Sequence, residues 1–318
     1  MSSQQTRPLR LGTRASALAT TQSGLVADLV RRRLGREVEL VEVSTEGDRS
    51  AAPLAQMGGT GVFVSALRDA LLDGRVDFAV HSLKDLPTTP ADGIALAAIP
   101  PREDPRDVVV ARDGLTLGEL PAGSRLGTGS PRRVSQLAAL GLGLELVGIR
   151  GNVDTRIRKV RSGEVDAIVL ARAGLSRLGR LDEATEVLDP LQMLPAPGQG
   201  ALAVECRSDD AELVEALARL DDPATRAAVT AERAVLSTLE AGCSAPLGAL
   251  ADVVEGEAGE ELWLRAVALS EDGGLSVRRS ATGPVDEPAR LGTRLASEML
   301  DEGAADLMEA PPVRNQHA

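Results

Sequence analysis

Short apolar runs flanked by glycine and small polar residues alternate with longer amphipathic stretches along the N-terminal part of the chain, an alternation that predicts an α/β fold. Strand Leu9 to Leu11 leads through GTRAS into a helix from about Ala17 to Leu34, and strand Val38 to Val43 follows. The next stretch, STEGDRSAAPLAQMGGTG, is too rich in glycine and small polar residues for regular structure and is a candidate mobile loop beside a cleft. A helix from about Val62 to Leu72 gives way to strand Val76 to Val80, which ends at HSLKDLP, and GIALAAIP is again strand-like. PREDPRDVVVA then reads as a crossover into a second lobe, with Pro105 near a hinge. That lobe runs to about LPAPGQGALAVECR, where a strand after a glycine-rich turn is expected to cross back into the first.

The pattern occurs twice. LRLGTRASALA from Leu9 is echoed by SRLGTGSPRRV from Ser124, VELVEV from Val38 by LELVGI from Leu144, and GRVDFAVHSLKDL from Gly74 by GEVDAIVLARAGL from Gly163. Echoes in the same order predict two similar α/β lobes facing one another across a cleft, with ligands at strand ends and helix starts. From about Pro223 the character changes to a helix ending near Leu239, the turn EAGCSAPLG, strands around Leu250 to Val254, Leu262 to Ala268 and Leu275 to Arg279, and a last helix from roughly Pro288 to Leu300. The expected organisation is therefore residues 1–104 with 200–221 as a first lobe, 105–199 as a second, and 222–318 as a small C-terminal α+β domain.

Composition narrows the function. Aromatic residues make up 1% of the chain, so Leu, Val, Ile and Ala must build the cores, and only Trp263, Phe63 and Phe78 could stack on bases. The net charge of −12 repels a nucleic-acid backbone. The opening segment lacks an apolar stretch of the secretory type, and no run is long enough to cross a bilayer, so a soluble, non-secreted protein is expected. Yet arginines gather within the repeats: Arg14 in the first, then Arg132, Arg133, Arg150, Arg156, Arg158 and Arg172 in the second. Guanidinium groups at turns of an acidic protein suit a small carboxylate or phosphate ligand, although Arg158 and Arg161 are equally well read as part of a solvated helix face.

Asp85 is the first candidate acid, because it lies just beyond a buried strand in a turn that Pro87 stiffens. Lys84 beside it is one of only two lysines, the other being Lys159. A plain surface pair is the competing reading. His81 is better read as a packed or hydrogen-bonding residue than as a general base, and no His or Cys spacing requires a metal. Cys243, in a small-residue turn, is either an accessible nucleophile or inert packing, whereas Cys206 in ALAVEC reads as an ordinary strand residue.

VHSLKDLP, PREDPRDV, RGNVDTR, LPAPGQGALAVECR, ERAVLSTLEAGCSAPLG and the opening LRLGTRASALA, in this order over nearly the whole chain, resemble the porphobilinogen deaminase (hydroxymethylbilane synthase) family of tetrapyrrole and heme biosynthesis. The resemblance implies two periplasmic-binding-protein-like lobes plus a C-terminal domain, and a transferase that joins four porphobilinogen molecules head to tail, releasing ammonia at each step. It implies a dipyrromethane cofactor bound covalently through Cys243, which primes the growing linear polypyrrole and stays behind when hydroxymethylbilane is hydrolysed off. Asp85 matches the catalytic aspartate, whose carboxylate would stabilise the azafulvene cation formed as the amine departs. Arg14, Arg132, Arg133, Arg150, Arg156 and Arg177 match residues that bind cofactor and substrate carboxylates, with Ser16, Ser82, Lys84, Thr128 and Ser130 beside them and Phe63 and Gln199 in the cavity. A cytoplasmic monomer is implied, with no metal, nucleic-acid, membrane or obligate protein partner.

The match departs from the family at Gln56, Thr60 and Ser65, where members often carry lysines. Either the loop binds fewer carboxylates here, or Arg49 and Arg68 compensate. Two other classes share some of these features. A two-lobed binding module for a dicarboxylate would have no need of Cys243, and a different ammonia-releasing or acyl-transfer enzyme would use Cys243 only transiently.

Overall fold

A computed structural model describes residues 7–43, 61–241, 245–256 and 259–308. The first sheet is built from β1 (Leu9–Thr13), β2 (Val38–Glu42), β3 (Phe78–Ser82) and β4 (Ile94–Ala98), with helices α1 (Ala17–Leu34) and α2 (Gly61–Leu72). The second comprises β5 (Asp107–Ala111), β6 (Arg125–Gly127), β7 (Glu145–Val147), β8 (Ala167–Ala171) and β9 (Glu186–Val187), with α3 (Pro131–Ala139), α4 (Val153–Arg161) and α5 (Arg172–Arg177). The chain then returns through β10 (Leu202–Arg207) and α6 (Ala211–Ala218). Helix α7 (Pro223–Thr238) opens a last unit of β11 (Leu247–Gly256), β12 (Gly259–Leu269), β13 (Ser276–Pro284), α8 (Pro288–Asp301) and α9 (Ala304–Met308).

The strand orders are β2-β1-β3-β10-β4 and β7-β6-β8-β5-β9. In each, three parallel strands are followed by an antiparallel one. That fourth strand, β10 or β5, is the one that has just crossed from the other lobe, so two chain crossings join the lobes. The duplication extends to single hydrogen bonds. The Arg10 amide donates to Asp77 at 2.7 Å and the Arg125 amide to Asp166 at 2.7 Å, while the two guanidinium groups donate to the Gly74 and Gly163 carbonyls at 2.8 and 2.7 Å. The repeated G-x-V-D thus ties the parallel strand β3 or β8 to β1 or β6.

Local chemistry sets the helix ends. Ser16 Oγ accepts from the Ala19 amide at 3.3 Å, and Gly35 closes α1 in the left-handed conformation with Arg31, Arg32 and Arg33 in its last turn. Apolar residues cover both sheet faces. Val26, Val30, Leu213 and Leu217 pack on Leu11, Phe78 and Val204 on one side of the first sheet, and Leu67 and Leu71 on Val76 and Ala79 on the other. In the second lobe Leu137 packs with Leu126 and Val169, and Ile157 and Leu175 with Val108 and Ile168. The C-terminal core joins Val235, Leu291, Leu295 and Met299 to Leu262 and Leu264.

Boundaries differ from the sequence reading at β1, which runs past Leu11 to Thr13 in register with Glu42, at β3 and in the C-terminal strands. Strand β3 starts and ends two residues later than Val76 to Val80, because Val76 still closes the turn after α2 through Ala70 O and Ser82 pairs across to Leu202. The C-terminal strands are longer than expected, since their antiparallel register runs unbroken from Leu247↔Ala268 to Gly256↔Gly259 and carries polar outward residues that apolar runs do not mark. No helix among the described residues is long and apolar enough to cross a membrane.

Candidate active site

Of the candidate residues, Lys84, Gln199, Arg132 and Arg133 come together, at the end of β3 and along the two crossings. After β3 the chain makes one 3₁₀ turn, Leu83–Asp85, whose first amide donates to Ala201 O at 3.0 Å. This turn presents Lys84 and Asp85, both partly buried. Against it lies the turn Gly198-Gln199-Gly200. Gly198 has φ +75°, and a Cβ there would meet Leu83 at 3.1 Å and the Lys84 amide at 3.4 Å. Gly200 has φ +88°, and a Cβ would lie 2.3 Å from Glu103 O. Both positions need glycine for conformation and for closeness.

Gln199 links the lobes. Its Oε1 accepts from Lys84 Nζ at 3.2 Å, and its Nε2 donates to Pro105 O at 2.7 Å and to Asp107 Oδ1 at 2.8 Å. Asp107, fully buried at the start of β5, also accepts from Arg132 Nη2 and Arg133 Nη2, each at 2.8 Å. Arg132 further donates to Leu194 O at 2.5 Å and Arg133 to Val169 O at 3.0 Å. Both arginines are buried, and the Nε of each has no hydrogen-bond partner. Asp107 thus meets two guanidinium groups directly and Lys84 through Gln199, and two buried guanidinium donors stay unused. Unsatisfied cationic donors in a low-dielectric site favour an anion.

The electrostatics follow from this arrangement. Burial pushes the Lys84 ammonium down to about 8, opposed by Asp85 and reinforced by Arg133. Asp107 resists the raising effect of burial, and Arg132 and Arg133 hold its carboxyl well below the usual range. Burial lowers Arg132 despite Asp107, and lowers Arg156 with help from Arg133. Arg156 therefore lies within electrostatic reach of Arg133. Its Nε donates to Gly151 O at 2.8 Å.

The remaining candidates differ in their surroundings. Arg177 donates to Gly200 O at 2.5 Å, so it braces the crossing turn. Ser16 caps α1, and the Ser82 hydroxyl pairs with Gln22 of α1, bringing the end of β3 beside the start of that helix. Arg14 follows β1 and is partly buried. Thr128 is buried and accepts from the Ser130 amide at 3.3 Å, while Ser130 precedes α3 without capping it by its side chain. Arg150 follows β7 and is exposed. Cys243 lies outside the described residues, as do Gln56, Thr60 and Arg49, and the Phe63 side chain is likewise not described. Arg68 is engaged with buried Glu205 through both Nε (3.0 Å) and Nη2 (2.6 Å), which turns it into the first lobe and argues against its replacing a loop lysine. His81 is buried, with Nε2 3.3 Å from Glu205 Oε2, a packed partner of that ion pair. Cys206 is buried in β10, and burial pushes its thiol up to about 11. Arg158 is exposed, and Arg161 reaches Glu183 at 2.9 Å on the surface.

Sequence reasoning passed over Asp107, Arg102, Glu232 and Arg233. Glu232, fully buried on α7, accepts from Arg102 Nη1 and Nη2 at 2.6 and 3.0 Å, from the Gly198 amide at 2.6 Å and from the Ala251 amide at 2.9 Å. A charged residue within an apolar run, as in DVVVA, or on the apolar face of a helix was the available signal.

Residues 9–215 match the family model described as porphobilinogen deaminase, dipyromethane cofactor binding domain, and residues 226–301 match porphobilinogen deaminase, C-terminal domain. The chain is 62% identical over 311 residues to porphobilinogen deaminase 1 of Streptomyces coelicolor, covering 95% of this chain and 98% of that one. It is 60% identical over 305 residues to porphobilinogen deaminase of Mycobacterium tuberculosis, covering 94% and 98%. Among solved structures, a periplasmic substrate-binding protein of an ABC transporter from Coxiella burnetii aligns with a TM-score of 0.43 and 16% identity, over 69% of this chain and 94% of that chain.

Proposed function

This chain belongs to the porphobilinogen deaminase family of tetrapyrrole biosynthesis, and from that premise we propose that it joins four porphobilinogen molecules head to tail on a dipyrromethane primer held through Cys243, with Asp85 as the catalytic carboxylate. The observation that carries this reading is the cluster of Lys84 with the buried Gln199, Asp107, Arg132 and Arg133, with its two unpartnered guanidinium nitrogens, inside the segment that matches the cofactor-binding domain. Those donors suit dipyrromethane, which bears acetate and propionate groups. When bound, the cofactor supplies a nucleophilic pyrrole carbon.

Lys84, Arg132 and Arg133 are read as receiving ring carboxylates, with Arg14, Arg150 and Arg156 extending the positive lining and Ser16, Ser82, Thr128 and Ser130 adding polar groups. Arg177 acts through the Gly200 turn in this reading. Asp85, fixed on its short turn, accepts hydrogen bonds from pyrrole N–H groups and holds negative charge beside the substrate methylene as its C–N bond breaks and ammonia leaves. A preorganised carboxylate acts there on charge that develops only in the transition state. The transferase class, a cytoplasmic location and action as a monomer without an obligate partner belong to the same proposal.

The test is the denatured intact mass of the purified protein, with peptide mapping of residue 243. A stable addition of two linked porphobilinogen-derived units is expected on the parent and on Asp85→Ala, which should load but not elongate, and none on Cys243→Ser. A fully loaded Cys243→Ser variant would remove the attachment assignment, and normal turnover by Asp85→Ala would remove the catalytic one.

A further inference from the structure

We propose that Arg233, on helix α7 of the C-terminal unit, is a positioning residue that holds the Leu83–Asp85 turn, and so aims Asp85, without touching substrate itself. The inference rests on the catalytic reading of Asp85. Arg233 Nη1 donates to Leu86 O at 3.0 Å and to Leu83 O at 3.4 Å, and Nη2 donates to Pro87 O at 2.6 Å. One guanidinium thus gathers three carbonyls from the five residues that contain Lys84 and Asp85.

The turn needs such an external anchor. It is a single 3₁₀ turn closed by one bond, Leu86 N to Leu83 O at 3.1 Å, and Pro87 has no N–H with which to continue it. Its other supports come from the crossing segment, Ala201 O beneath the Leu83 amide and Gly198 against Leu83 and Lys84. Val229, one helical turn before Arg233, packs in the same apolar cluster as Leu83 and Leu86, so α7 grips the turn by its side chains and by its carbonyls. The adjacent Glu232 holds the facing Gly198 amide and Arg102. Two consecutive residues of one helix therefore hold the two turns that meet at the Lys84 to Gln199 hydrogen bond. A fork with fixed spacing suits three diverging carbonyls better than a point charge does.

The experiment combines turnover with a local structural readout. Arg233→Ala, Asp85→Glu and the double variant are prepared as holoenzymes, their cofactor loading checked by intact mass. Steady-state kcat and KM for porphobilinogen are measured, together with amide hydrogen exchange of a peptide spanning residues 83–87. Arg233→Ala is expected to load normally, to lose about 100-fold in kcat with little change in KM, and to exchange faster at 83–87 than elsewhere, because small misplacements of a catalytic group cost about that much. In the Asp85→Glu background, whose carboxylate is already displaced, the same change should cost only about threefold, since two residues acting on one event are not additive. Equal fold losses in both backgrounds, or unchanged exchange at 83–87, would overturn the proposal. Parent-level kcat in Asp85→Glu would instead sink the catalytic reading of Asp85. If Arg233→Ala does not fold, Arg233→Lys takes its place with an expected loss of about tenfold, and a folded lysine variant with parent kcat and parent exchange would overturn the inference.

Discussion

The buried carboxylates Asp77, Asp107, Glu205 and Glu232 are each met by an arginine. Asp107 fixes Arg132 and Arg133 and reaches Lys84 through Gln199. The desolvated Lys84 gives a pH signature. With its ammonium lowered to about 8, it is charged below that pH and neutral above it, so carboxylate binding should weaken as pH rises through about 8. The KM for porphobilinogen is expected to climb above pH 8 in the parent and to be higher but flat in Lys84→Met. An equal climb in both would assign the titration to another group. Lys84 and Asp85 stood out in the sequence because a lysine is rare here and a proline follows. Asp107 offered only the weaker signal of a charge beside an apolar run, which does not tell water from two arginines. Only the packing of α3 over β5 reveals its partners.

Elements were legible wherever a local signal existed. Helix α1 begins and ends where Ser16 and the glycine after Leu34 suggest, because capping is decided within one turn of chain. Strand β3 was misplaced by two residues because its limits come from neighbouring strands. The Gly198-Gln199-Gly200 turn was readable as glycine-rich, but not as the junction of Lys84, Glu103 and Glu232. Its geometry predicts that Gly200→Ala will destabilise the protein by about 3 kcal/mol, through left-handed strain and a Cβ forced against Glu103 O. Thermal unfolding should show a clearly lowered midpoint, and a midpoint equal to the parent's would mean that the crossing segments yield without cost.

At the scale of the whole molecule, ionised carboxylates clamp distant parts of the chain together. Burial raises the Glu205 carboxyl, but His81 and Arg68 hold it down at about 2, and Arg10 and Arg7 do the same against burial for Asp77, also about 2. Both sit below their unfolded values, so their stabilisation is present above about pH 4.5 and is lost as pH falls toward 2. For Glu205 alone the loss amounts to about 3 kcal/mol. Urea unfolding between pH 6 and pH 2.5 should show this loss in the parent and a shallower one in Glu205→Gln, whereas equal slopes would place the acid lability elsewhere. The sequence by itself determined the duplicated α/β lobes, the appended C-terminal unit, the family and the residues proposed to meet carboxylates, because periodicity, capping and motif order are local properties of a chain. The tertiary structure alone decided which charges neutralise one another, that each lobe completes its sheet with a strand arriving from the other, and that a C-terminal helix holds the Asp85 turn. Those facts depend on contacts between residues far apart in the chain, and such contacts exist only once the chain has folded.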